Sequence, residues 1–367
     1  MMASCPVRLK PDPTYIVSAF TPRLRSGCPE RESKDRRTCL RAALLSLGIA
    51  ALLIQAPLGG AQATAAPAID AAARHVDRAQ LMRDVETLAA PAFEGRRTGT
   101  PGALKARQWL VDQFSAIGLT AAGTDGYLQP FMFSTRDKGA LLPGGRPFSV
   151  DYSAVNVIGR VPGREARARL LVVTAHYDHL GIRDGVLFPG ADDNASGVAA
   201  LLAAARHFVR NPPRHPILFA ALDAEELGLR GARALVDSAL LPRNAVALNI
   251  NLDMVSRNDR NEIYAAGTYH APWLVPILQD VQARASVKVL FGHDRPMDRG
   301  GGLEDWTHSS DHGPFHDARI PFVYFGVEDH PDYHKPTDAA SRIDSRFFGD
   351  AADMIIEALR TFDVRVD

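Results

Sequence analysis

The sequence predicts an α/β fold in which one domain carries a mixed, mostly parallel central sheet with helices on both faces. From residue 155 onward, short apolar runs that suit buried strands alternate with longer runs whose apolar residues recur at helical spacing. This alternation is typical of parallel strands joined by helices. The chain has 367 residues, 46% of them hydrophobic, so it can bury a large core.

The predicted elements follow in chain order. Two amphipathic helices come first, at residues 77–88 and 103–117, and Gly118 ends the second. Residues 119–152 are rich in Gly, Pro, Thr and Ser, which predicts hairpin-like or irregular structure. The alternating part then contains strands at 170–175, 217–222, 247–252 and 320–326, and helices at 196–209, 231–239 and 345–362.

Residues 1–63 predict a leader with a signal peptide that is removed. A basic stretch ending at Arg41 precedes the apolar run 42–54, and a small-x-small cleavage pattern ends at Ala63. The run is shorter than the roughly 18 apolar residues of a membrane span, which disfavours an anchor. We therefore expect residues 64–367 to form one domain that is secreted or periplasmic, without stable membrane association once the signal is removed.

Composition narrows the chemistry further. The formal net charge is zero, which argues against nucleic acid as a partner. All three cysteines, Cys5, Cys28 and Cys39, lie in the leader, so a transition metal in the mature domain must be held by His, Asp and Glu. The oligomeric state stays open.

Acidic residues and a histidine follow directly after three of the predicted strands. His176 follows the first strand, residues 223–226 follow the second, and Asp253 follows the third. In open α/β sheets the carboxyl ends of strands form the crevice where ligands bind. Because buried charges without a partner cost several kcal/mol, a divalent cation is their natural partner, and imidazole nitrogen with carboxylate oxygen suits zinc.

Five segments resemble metallopeptidase family 28, the double-zinc aminopeptidases that include secreted bacterial leucyl-type enzymes. The segments are A-H-Y-D-H-L-G from Ala175, G-A-D-D-N-A-S-G from Gly190, D-A-E-E-L-G from Asp223, N-L-D-M from Asn251 and Y-H-K-P-T-D from Tyr333. Each segment alone is a weak signal, and their common order makes the resemblance specific. It covers residues 155–343 and implies the zinc-aminopeptidase type of phosphorylase/hydrolase-like fold.

The resemblance implies five protein ligands for two zinc ions. These are His176 and Asp253 for one ion, Glu226 and His334 for the other, and Asp193 as the bridge between them. Asp193 is preferred to Asp192 because the family's bridging aspartate lies three residues before the Ser of a Ser-Gly pair, here Ser196.

The resemblance also implies the chemistry of an exopeptidase that removes N-terminal residues from peptides. Glu225 matches the general base, which takes a proton from a metal-bridging water and returns it to the leaving amine. Asp178 lies two residues after His176, and we expect its carboxylate to accept the ring N–H of that histidine and fix the metal-binding tautomer.

Two other functions stay open. A single-zinc acyltransferase like glutaminyl cyclase would lack counterparts of His176 and Asp253, and a non-catalytic binding module that keeps the fold would lack Glu225. All three residues are present, which favours hydrolysis. Carboxypeptidase or dipeptidase action also fits the family.

Further residues are expected to shape the substrate cleft at the carboxyl ends of the strands. The glycine-rich loop at 298–305 is expected to shape it, with Trp306, Tyr324 and Phe315 as an apolar wall. Histidines near the motifs are expected to line the cleft or to support the ligands rather than to bind metal: His179, His308, His312, His316 and His330.

Overall fold

A computed structural model describes residues 75–142, 146–165, 167–296 and 303–366. The predicted leader and most of the predicted loop at 298–305 lie outside the described residues. The helices are α1 (Arg78–Leu88), α2 (Pro101–Ile117), α3 (Gly197–Arg210), α4 (Arg230–Val236), α5 (Leu274–Gln282), α6 (His312–Asp317) and α7 (Ser345–Arg365). The strands are β1 (Thr120–Ala121), β2 (Leu128–Leu142), β3 (Arg146–Val161), β4 (Leu170–His176), β5 (Gly181–Arg183), β6 (Val186–Phe188), β7 (Ile217–Leu222), β8 (Val246–Leu252), β9 (Glu262–Ala266), β10 (Lys288–Leu290) and β11 (Phe322–Gly326).

The main sheet has parallel strands at its centre and antiparallel strands beside them. Its order is β1-β3-β7-β4-β8-β11-β9-β10, and β2 pairs with β3. β7, β4, β8 and β11 run parallel, whereas β3 and β9 join this group in the antiparallel sense. The predicted fold class is confirmed. The stretch at 119–152 contains β1, β2 and the first part of β3, and β2 and β3 pair along a long antiparallel ladder.

Helices cover both faces of the sheet. Along β4, Leu171 and Val173 point into a large core that includes residues of α1, α2, α3, α5 and α7, whereas Val172 points into a smaller core with residues of α4 and α6. This is the period-two alternation of a strand that is buried on both faces.

Capping residues mark the ends of the first two helices, although α2 begins at Pro101, two residues before its predicted start at 103. The side chain of Asp77 accepts a hydrogen bond from the N–H of Gln80 at the start of α1, and Thr100 accepts one from Ala103 at the start of α2. Gly118 ends α2 with a φ of 91°, a left-handed conformation that favours glycine. None of the helices in the described part is long and apolar enough to cross a bilayer.

Candidate metal centre

The polar residues that follow three strands meet at one edge of the sheet. His176 is the last residue of β4, Asp253 directly follows β8, and residues 223–226 follow β7. Since these strands are neighbours and parallel, their carboxyl ends coincide. The sheet therefore brings together the side chains for which the sequence predicts a metal site.

The first group of potential ligands consists of His176, Asp193 and Asp253. The Nε2 atom of His176 lies 3.3 Å from Oδ1 of Asp253 and 3.4 Å from Oδ1 of Asp193. All three residues are buried, and each offers a ligand atom within 4.8 Å of those of the other two. Separations of this size leave room for a cation between the three donors.

The second group forms around the other oxygen of Asp193. The Nε2 atom of His334 lies 3.0 Å from Oδ2 of Asp193 and 3.5 Å from Oε2 of Glu226. Oδ1 of Asp193 thus faces the first group and Oδ2 faces the second, which is how a carboxylate that bridges two cations is arranged.

His179 also belongs to this second group, although from the sequence it was expected to line the cleft or to support a ligand. Its buried Nδ1 lies 2.8 Å from Oε1 of Glu226 and 3.6 Å from Oδ2 of Asp193. Neither ring nitrogen, nor Oε1 of Glu226, makes a hydrogen bond to a described residue. Buried donors that approach without hydrogen bonding to each other fit ligands that converge on a cation.

Asp192 is occupied by hydrogen bonds, which separates its role from that of Asp193. Its Oδ1 accepts hydrogen bonds from the N–H and the hydroxyl of Ser256 at 2.9 and 2.6 Å, and its Oδ2 lies 3.0 Å from Nε2 of His330. Asp338, from the last motif, accepts hydrogen bonds from the N–H groups of both Asp192 and Asp193. The loop is therefore held so that Asp193 faces the two groups.

Asp178 supports the site differently from the prediction. Nδ1 of His176 lies 3.1 Å from the backbone carbonyl oxygen of Asp178 and 3.7 Å from its carboxylate. The carboxylate instead accepts hydrogen bonds from the N–H groups of Glu225 and Glu226 at 3.0 and 3.3 Å. A two-residue spacing predicted the contact with His176 but not which oxygen makes it, because the chain turns after β4.

Glu225 lines a cavity of about 160 Å³ together with residues of both groups. Burial raises its pKa well above the usual value, against the charge of His176. Trp306 and Tyr324 line the same cavity, as predicted. The prediction for Phe315 is wrong, because this side chain is buried in the smaller core, on α6.

The pKa values of the second group reflect its close imidazole–carboxylate contacts. Burial lowers the pKa of His334, but hydrogen bonds to Asp193 and Glu226 outweigh burial and raise it to about 10. Burial raises the pKa of Glu226, but its close contacts with the imidazoles of His179 and His334 lower it to about 2. Positive charge is thus favoured here, and the nitrogen and oxygen donors fit zinc.

Several supporting residues were not predicted. The hydroxyl of Ser310 donates a hydrogen bond to Oδ2 of Asp253 at 2.7 Å, and that of Thr98 donates one to Oδ1 of Asp223 at 2.8 Å. Thr98 is 125 positions from Asp223 in the sequence, and no local pattern signals such a contact. For Ser310, the only local signal in the sequence is that it directly precedes two other polar residues, Asp311 and His312.

Known proteins are similar to this chain in sequence and in fold. The family model described as Peptidase family M28 matches residues 156–359. Aminopeptidase YwaD of Bacillus subtilis is 33% identical over 224 residues, which cover 57% of this chain and 45% of that protein. The chain thus spans less than half the length of this curated relative.

Solved structures with this fold include proteins with different activities. BSAP, a zinc aminopeptidase from Bacillus subtilis, has a TM-score of 0.61 at 19% identity, covering 79% of this chain and 95% of that one. A glutaminyl cyclase from Bacteroides thetaiotaomicron has a TM-score of 0.56 at 18% identity, covering 78% and 98%. At these identities the likeness concerns the fold, and the reaction must be argued from the site.

Proposed function

Since the chain belongs to peptidase family M28, we propose that it is a zinc-dependent exopeptidase that hydrolyses N-terminal residues from peptides. The observation that carries this proposal is the position of Asp193, whose two carboxylate oxygens face two separate groups of donors. We propose two zinc ions per chain, one held by His176 and Asp253, the other by Glu226 and His334, with Asp193 shared.

The proposed reaction needs a base that does not bind metal. Zinc, when bound, supplies a Lewis acid that makes water more acidic and polarises a carbonyl group. Glu225 takes the proton of the attacking water on its carboxylate and gives it to the nitrogen of the leaving amine.

Asp178 has a positioning role in this proposal. By accepting the N–H groups of Glu225 and Glu226, its carboxylate fixes the backbone of the base and of its neighbouring ligand. Its backbone carbonyl oxygen faces Nδ1 of His176, which leaves Nε2 free for the metal.

The cavity supports action at the end of a peptide. It is small, and Trp306 and Tyr324 lie in its wall beside the proposed ligands. Glu304 and Asp329 also line it, so the cavity carries more negative charge than the ligands alone supply. A free α-amino group fits such surroundings better than a neutral blocked one.

The two alternatives are less well supported. The first donor group, with His176 and Asp253, favours two metals over the single zinc of a glutaminyl-cyclase-like acyltransferase. The presence of Glu225 in the cavity favours catalysis over a binding module.

We also propose that the protein is exported to the periplasm or beyond the cell, on the basis of the predicted signal peptide at 1–63.

A substrate panel tests the proposed activity. We expect zinc-loaded protein to release the first residue from peptides and aminoacyl anilides with a free α-amine, and to leave the acetylated forms intact, because the acidic cavity selects the free amine. Released amino acids are measured by chromatography, with chelator-treated protein as the control. Cleavage of the acetylated forms alone would refute the aminopeptidase assignment and leave a hydrolase.

A further inference from the structure

Arg96 has an unusual environment directly behind the proposed metal site. Its side chain is fully buried, and its guanidinium donates four hydrogen bonds, all to backbone carbonyl oxygens. The acceptors are Tyr177 at 2.8 Å, Leu88 at 2.7 Å, Pro189 at 2.7 Å and Gly190 at 2.8 Å.

No described carboxylate forms a salt bridge with Arg96, yet acidic residues surround it at longer range. Burial lowers the pKa of Arg96 to about 10, and the charges of Asp193, Asp338 and Asp178 oppose this decrease. The guanidinium therefore stays protonated at neutral pH and balances part of the negative charge of the site.

The acceptors of Arg96 adjoin the residues proposed to bind metal. Tyr177 lies between His176 and Asp178 at the end of β4, and Gly190 begins the loop that carries Asp193. One rigid cation thus joins the turn after β4 to the loop with the shared aspartate. Leu88, the last residue of α1, ties both to the helical layer.

The segment around Arg96 fits tightly against its surroundings. Gly95 has a φ of +65°, and a Cβ atom there would lie 2.4 Å from the carbonyl oxygen of Phe188 and 2.7 Å from that of Gly181. Arg96 itself has a positive φ of 55°, which is rare for a residue with a side chain. Gly95, the residue before Arg96, thus packs closely against β5 and β6 and leaves no room for a side chain.

We propose that Arg96 is a positioning residue for the metal centre, which holds the turn after β4 and the loop before Asp193 at the separation that lets two metals share this aspartate. The inference rests on the proposed function, because it assumes that the centre binds zinc. Arg96 touches neither substrate nor metal in this account.

Lysine cannot replace arginine in this role. A guanidinium presents five donors in a fixed plane and reaches acceptors on several sides, whereas an ammonium group is a single nitrogen with three donors. The variant Arg96→Lys retains a basic group at the same position and loses most of the four hydrogen bonds, so it tests the fixed hydrogen-bond geometry of the guanidinium.

Arg206→Lys is the matched control. Arg206 lies on α3, away from the centre, where it donates hydrogen bonds to Asp84 at 2.6 Å and Gln113 at 2.9 Å. Both variants lose a partly or fully buried arginine fork, and we expect both to melt at a lower temperature than the wild type. Only Arg96→Lys should change metal binding.

The experiment is a competition titration of metal-free full-length protein with zinc and a chromophoric chelator, with circular dichroism as the measure of folding. We expect zinc affinity at one or both sites to fall about 10- to 100-fold in Arg96→Lys, the range for residues that orient metal ligands, and to stay within about twofold of wild type in Arg206→Lys.

Wild-type affinity in folded Arg96→Lys would overturn the inference. So would an Arg96→Lys chain that stays unfolded even with zinc, which would give Arg96 a general core role. A wild type that binds no zinc would instead refute the proposed function, and the inference with it.

Discussion

We expect the substitution Glu225→Gln to lower kcat for release of N-terminal residues by about 10²- to 10⁴-fold, the usual contribution of a general base. The glutamine amide has the same shape as the carboxylate but cannot take a proton from water. Because Glu225 is not among the proposed ligands, zinc content should stay at the wild-type level. Initial rates on an aminoacyl anilide and metal analysis of the same sample check both statements.

The control for this variant is Glu357→Gln, which makes the same chemical change on α7. Glu357 pairs with Arg360 and Arg284. No residue of α7 lines the cavity that contains Glu225. We expect its kcat to equal that of the wild type. A Glu225→Gln variant with kcat within about tenfold of wild type would remove Glu225 as the base.

The second large effect is expected for Asp193→Asn, which should lose both zinc ions together. The carboxylate of Asp193 lies within 3.4 Å of His176 on one side and 3.0 Å of His334 on the other, so its loss weakens both groups. Asp253→Asn changes the first group alone, and we expect it to lose one ion and retain the other.

Metal analysis after dialysis against a zinc buffer compares these two aspartate variants. Since metal that binds only the folded state stabilises it, the melting temperature in excess zinc should also fall further for Asp193→Asn than for Asp253→Asn. An Asp193→Asn protein that retains both ions would show that the aspartate does not join the two groups.

Much of the fold could be predicted because its strands and helices carry strong local signals. Buried strands such as β7 are continuous apolar runs, and Asp77 and Gly118 mark helix ends by capping chemistry. The segment with β9 and α5 was not predicted. Pro276 lies in the first turn of α5, where proline is tolerated, but in the sequence it interrupts the helical pattern.

The site could be predicted where its residues lie in short ordered motifs at strand ends. His176 and Asp253 follow directly from that pattern, and they meet because β4 and β8 are parallel neighbours. His179 shares the motif of His176, but spacing alone does not tell which of two nearby histidines faces Asp193. Arg96 could not be predicted, because its acceptors are backbone carbonyl oxygens up to 94 positions away. Every residue type has such an oxygen, so the sequence does not indicate which ones accept a hydrogen bond.

The most direct test of this account is anomalous X-ray diffraction from zinc-loaded crystals at the zinc absorption edge. We expect two peaks about 3.5–4 Å apart, the usual spacing of a two-metal site, with Asp193 adjacent to both. One peak should lie between His176 and Asp253, and the other beside Glu226 and His334, where its distance from His179 would also show whether this histidine is a ligand. A single peak, or none in this cleft, would contradict the proposed two-metal centre.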